Sequence, residues 1–196
     1  MQILKKQLEE MTLEEMWELF PIILKEHNPQ YINWYEDEKQ SILNIAKSEN
    51  IIRINHIGSS AVVGLISKPT VDILLEIDGC CDVTRLTNSL NEIGWGVMQQ
   101  ENDPLKIKFC KGYTPDGFAE RVFHLHVGYI GDWNELYFRD YLIAHPDVAA
   151  EYGKIKLSLL KNLEHDRDGY TKEKTDFVLK YTNAAKQEYP NRYKPR

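Results

Sequence analysis

Residues 56–77 read H-I-G-S-S-A-V-V-G-L-I-S-K-P-T-V-D-I-L-L-E-I and set a glycine–serine turn between two apolar runs. At Gly58-Ser59-Ser60 the glycine removes the side chain that would block close approach. Backbone N–H groups and a hydroxyl there can hold phosphate oxygens. Asp72 follows on the second run, its carboxylate on one side of a strand. A lone carboxylate beside bound phosphates suits a hard cation such as Mg²⁺. Glu76 shares that side, but four strand residues put it about 13 Å away, too far to share one ion. His124 and His126 lie two apart on another strand face, about 7 Å between Cα atoms, so their rings can converge. With Asp72 on an adjacent strand they would make a two-histidine, one-carboxylate set suited to Zn²⁺, Mn²⁺ or Fe²⁺. The alternative is a polar wall facing a ligand. Lys68 follows the turn, Lys106 and Lys108 alternate on the strand before the histidines, and Arg139 projects from a helix. Such cations would balance an anionic substrate, although a solvated strand face explains Lys106 and Lys108 equally well. Tyr152 and Lys156, one helical turn apart, could close the cleft, with core and surface roles equally open. Cys110 has no adjacent base in sequence and reads as inert.

The elements that must position these residues follow from hydrophobic periodicity. Thr12 and Glu15 form a capping box, with Met11 and Met16 at the staple positions, so a helix covers about 12–20 and stops before Pro21. Tyr31, Trp34, Tyr35, Ile42, Leu43, Ile45 and Ala46 recur at helical spacing, predicting a core-facing helix through Ser48. Strands are expected over 51–57 and 70–77. Asp82 caps a helix to about Ile93, and Gly94 stops it. Strands follow over 95–100, 105–111 and 122–129, with Pro115-Asp116-Gly117 as a turn between the last two. Asp132 and Glu135 predict a second capping box for a helix to about Ala144. Pro146 opens a helix to about Glu164. Residues 165–170 read as a loop, and Thr171 caps a last helix to about Glu188. The expectation is one α+β domain over 1–196, with residues 1–30 as an N-terminal helical extension and a mixed β-sheet flanked by N- and C-terminal helices.

Residues 56–73 resemble the signature H-I-G-S-T-(A/S)-V-P-G-L-x-x-K-P-x-x-D-I of the GrpB family. H-L-H-V at 124–127, F-R-D-Y-L at 138–142, H-P at 145–146 and Y-x-x-x-K at 152–156 match it in order. The resemblance covers about residues 31–185. It implies a nucleotidyltransferase superfamily fold of the polymerase-β type. In that pattern a G-S turn precedes a strand with two alternating acids, and a neighbouring strand gives a third. Gly58, Ser59 and Asp72 match its first half. Leu74 stands where the second acid belongs, Val63 replaces a proline and Ser60 a threonine, and His124 and His126 lie on the strand that should carry the third acid. Two-metal phosphoryl transfer needs several carboxylates, so Mg²⁺-dependent transfer is expected to be weak or absent. The family domain also occurs fused to dephospho-CoA kinase, which implies a possible link to coenzyme A metabolism.

Composition limits the classes of function. The chain has 196 residues, 42% hydrophobic and 28% charged, which is a globular composition. No apolar run approaches the roughly 20 residues of a membrane helix. The start, MQILKKQLEE, is not a secretory signal, so the cytoplasm is the expected compartment. The three cysteines lack a C-x-x-C pair, which argues against a disulfide scaffold or a structural zinc knuckle. The net charge of −6 argues against general nucleic-acid binding. That charge is uneven: residues 151–196 hold eleven Lys and Arg against seven acids, while residues 1–50 hold five against ten. The basic end is either a solvated helical face or a local attraction for a phosphate-bearing ligand. The leading expectation is therefore a protein that binds a nucleotide or other phosphorylated small molecule at Gly58-Ser59 and Asp72, with metal-assisted nucleotidyl transfer as a further option. The alternatives are a non-catalytic binding or partner module, and a metal-dependent enzyme using Asp72, His124 and His126 with Mg²⁺, Mn²⁺ or Zn²⁺.

Overall fold

The computed structural model describes residues 6–46, 50–102 and 104–195. Helix α1 (Leu13–Leu19) is closed by the expected capping box: Thr12 Oγ1 accepts from Glu15 N at 3.2 Å, and Glu15 Oε2 accepts from Thr12 N at 2.8 Å. Beyond it the extension is mostly irregular, and residues 20–25 lie against the body of the molecule. Ile22 N donates to Glu164 O, and Lys25 pairs with Ser67 as an isolated bridge. Helix α2 (Tyr31–Ile45) ends at Ala46, and its expected continuation to Ser48 falls outside the described residues.

Five strands follow: β1 (Ile51–Ile57), β2 (Thr70–Ile77), β3 (Gly96–Asn102), β4 (Leu105–Thr114) and β5 (Gly117–Tyr129). Helix α3 (Val83–Glu92), capped by Asp82 Oδ1 on Arg85 N at 3.0 Å, lies between β2 and β3. The sheet order is β1-β2-β5-β4-β3, with β2 and β5 parallel and every other pair antiparallel. This is the expected α+β mixed sheet flanked by helices. Strand alternation divides its faces. Val71, Ile73, Leu75 and Ile77 of β2 join Phe123, Leu125 and Val127 of β5 and Ile107 and Phe109 of β4 on one face. Against them pack Tyr31, Tyr35 and Ile42 of α2, Leu86 and Leu90 of α3, and Trp95. Each fully buried side chain of this kind contributes about 1.5–3 kcal/mol.

The opposite face carries Asp72, Leu74 and Glu76 of β2 beside His124, His126 and Gly128 of β5. Helices α4 (Asn134–Ala144), α5 (Pro146–Leu163), α6 (Arg167–Glu173) and α7 (Thr175–Glu188) cover that side. Two sequence expectations are corrected here. Asp132 does not cap α4: the N-cap is Trp133 with no side-chain bond, and Asp132 instead accepts from the Tyr137 hydroxyl at 2.7 Å. Nor are residues 165–170 a loop before a helix capped by Thr171. Asp166 Oδ1 accepts from Gly169 N at 2.8 Å and starts α6 there, so Thr171 lies inside that helix. The β4–β5 hairpin is also longer than expected, running to Thr114 and restarting at Gly117 around the predicted turn.

Candidate functional site

Gly58 ends β1 with φ of +70°, a conformation that L side chains rarely adopt. A β-carbon built there would overlap Asp72 Oδ2, so only glycine lets the turn sit against the carboxylate. Ser59, Ser60 and Ala61 then form one turn of 3₁₀ helix. This turn and Asp72 border a common cavity of about 470 Å³ between the polar sheet face and the covering helices. Into it also open Lys68, His124, His126, Tyr152, Lys156 and Lys174. A hollow of about 620 Å³ outside the Ala61–Ile66 segment has mainly apolar walls, including Val62, Val63, Leu142 and Leu157.

Asp72 opposes His124 across the parallel β2–β5 pair, and its side chain keeps 27% exposure. His124 Nδ1 lies 3.1 Å from Asp72 Oδ1, its Nε2 lies 2.8 Å from the Tyr113 hydroxyl, and Arg167 Nη2 donates to that hydroxyl at 3.1 Å. One assignment satisfies every atom: Arg167 donates to Tyr113, Tyr113 to His124 Nε2, and His124 Nδ1–H to Asp72. Burial works against the charge on Asp72, but the hydrogen bond from His124 and nearby positive groups, Lys68 among them, outweigh it and hold its pKa below the usual value. Burial pulls His126 down to about 4, leaving it neutral near pH 7.

The expected metal set is not assembled. Both nitrogens of His124 are already committed, and no group of three or more His, Cys, Asp or Glu side chains converges for a metal among the described residues. Asp72 Oδ2, facing the turn, remains able to meet a hard cation brought in with ligand phosphates. Leu74 is fully buried beside Ile57 and Leu136. Glu76, also fully buried, is held by Arg53 Nη2 at 2.6 Å and by Gly131 N at 3.2 Å.

The predicted cations separate into three groups. Lys68 and Lys156 line the cavity. Lys156, 3% exposed, donates to Ser59 Oγ at 3.1 Å and to Ile66 O. Its Nζ lies 4.7 Å from the ring centre of Tyr152, which also lines the cavity. Ser60, 2% exposed, is tied to His56 Nε2 at 3.0 Å. Lys106 and Lys108, by contrast, are exposed and border a smaller adjoining hollow of about 180 Å³ with His126 and Trp133. Arg139 does not reach the cavity: its guanidinium grips Asp140 at 2.7 and 2.9 Å, His56 O at 2.9 Å and the Tyr193 hydroxyl at 3.0 Å. Its place in the fold, tying α4 to β1, replaces the expected ligand contact.

Sequence reasoning missed several cavity residues. Lys174, Tyr170 and Thr171 come from the misread α6 segment, and Glu135 comes from the N-terminal turn of α4. Burial, and secondarily Lys174 and Lys68, draw Lys156 down to about 7; burial and Lys68 do the same to Lys174. Burial also lowers Lys68. The basic C-terminal composition was the available signal for Lys174. The partner hydroxyl Tyr113 had none, because a bulge at Gly112, φ +92°, reverses the alternation between Lys111 and Tyr113.

Residues 21–184 match the family model described as GrpB protein. The glutamate-rich protein GrpB of Alkalihalophilus pseudofirmus is 34% identical over 166 residues, 83% of this chain and 94% of that protein. The crystal structure of conserved protein GrpB from Enterococcus faecalis superposes with a TM-score of 0.74 at 27% identity, covering 85% of this chain and 99% of that one. A Cid1 poly(U) polymerase structure with Mg and 3'-dATP gives a TM-score of 0.46 at 11% identity, over 74% of this chain and 43% of that one. With the family model spanning most of its length, the chain belongs to the GrpB protein family.

Proposed function

We propose that the cavity binds the phosphate of a nucleotide or other phosphorylated small molecule, seated on the Gly58-Ser59-Ser60 turn. The observation that carries this reading is the convergence of Lys68, Lys156 and Lys174 on one cavity, where they outnumber its two carboxylates, Asp72 and Glu135. Unliganded, these amines repel one another and are poorly solvated; an anion relieves both costs. Lys156 holds the Ser59 hydroxyl, and the glycine allows the phosphate to approach the backbone. A divalent cation fits this site as the ligand's companion, held by Asp72 and phosphate oxygens, rather than as a resident ion on His124 and His126.

Binding without efficient nucleotidyl transfer is the favoured form of this reading, because Leu74 occupies the second acid position under Leu136. A thermal-shift screen of nucleotides, phosphorylated coenzyme precursors and pyrophosphate, with and without Mg²⁺, tests it. A ligand present at about a hundred times its Kd adds roughly 2.7 kcal/mol of stability. Stabilisation by phosphorylated compounds but not by their dephosphorylated forms is expected. Equal stabilisation by both, or none by any, contradicts the reading.

A further inference from the structure

Lys174 differs from the other amines of the cavity. Lys156 is nearly inaccessible and committed to Ser59 and Ile66. Lys174 stands where α6 meets α7, partly open to the cavity, with its Nζ 4.0 Å from the Tyr170 ring centre. No carboxylate lies within ion-pair distance of it among the described residues. Lysines crowded in a desolvated cavity cannot all keep their protons cheaply, and an unprotonated amine in such a setting is a carbonyl nucleophile. Burial and Lys68 bring Lys174 to about 7, so a large share of it is neutral in ordinary buffer.

We propose that Lys174 forms an imine with a phosphorylated aldehyde or ketone whose phosphate rests on the Gly58-Ser59-Ser60 turn. The proposal rests on the phosphate reading of the cavity and adds the class of its ligand. The amine of Lys174 adds to the carbonyl carbon to give a carbinolamine. Loss of the former carbonyl oxygen as water then leaves the C=N bond. No electrons are exchanged and no co-reactant is needed.

Pyridoxal 5′-phosphate carries both groups and serves as the probe, with borohydride added to fix any imine and mass spectrometry to locate it. The expected result is saturable modification at Lys174, suppressed by excess pyrophosphate and abolished in Lys174→Arg. The fold of that variant is checked separately by circular dichroism, and a spectrum like that of wild type is expected. Modification at Lys68 or Lys156 instead, or scattered over surface lysines, overturns the proposal. So does the absence of imine in wild-type protein that binds pyrophosphate; that outcome leaves the phosphate reading standing. Failure of pyrophosphate to bind removes both.

Discussion

At the residue scale, Leu74 is where the molecule departs most clearly from a two-metal transfer centre. It is fully buried between Ile57 and Leu136, so Leu74→Asp would bury an unpaired carboxylate. The expected outcome is a loss of several kcal/mol in denaturant unfolding and no gain of Mg²⁺-dependent transfer. A stable variant that transfers nucleotides briskly would show that the cavity has room for a second acid. A second residue-scale consequence concerns pH. Burial, aided by neighbouring lysines, draws Lys156 and Lys174 down to about 7 in the folded state, against about 10.5 for an exposed lysine. Between those values the unfolded chain holds more protons, so stability rises with pH from 7 upward and is flat in these groups below it. The apparent Tm should climb between pH 7 and 9, and climb less in Lys156→Met; equal slopes would place the amine in water. The turn, Asp72 and the histidines were legible because strand alternation fixes which face each side chain takes. Tyr113 was not, since the bulge at Gly112 cancels that alternation, and neither was the occupation of His124 on both sides.

At the element scale, α6 is short and yet carries Tyr170 and Thr171 to the cavity and Lys174 at its end. Its start depends on Asp166 accepting from Gly169 N. Losing an N-cap of this kind costs about 1 kcal/mol. Asp166→Ala should lower global stability by that order and weaken phosphate-ligand binding as well, measured by chemical unfolding and titration. A stability loss with unchanged affinity would mean that α6 does not position the site. The misreading of this segment has a physical source. The run His165 to Tyr170 is almost wholly polar, so no apolar period marks a helix, and Tyr170 alone is buried from it. Strands β1, β2, β4 and β5 and helices α2, α3, α4 and α5 were legible because each supplies an apolar stripe long enough to set its period, whereas β3 is exposed along its whole length.

At the scale of the whole molecule, one sheet face makes the core and the other holds the site beneath α4–α7. Glu76 pins this arrangement at the end of β2 remote from the turn. It is fully buried, and Arg53, its partner on β1, also donates to Gly131 O at 2.9 Å and Tyr193 O at 3.2 Å. Arg53→Met should cost about 3–5 kcal/mol because it strands a buried charge, and the accompanying Glu76→Gln should recover part of that loss. The central claim is that the Gly58-Ser59-Ser60 turn and the cavity lysines bind phosphate. Calorimetric titration with pyrophosphate at pH 7, comparing wild type with Lys68→Ala and Ser59→Ala, tests it most directly. The account predicts saturable binding that weakens by at least about tenfold, or 1.4 kcal/mol, in each variant. Undetectable binding, or binding that neither substitution alters, would contradict it.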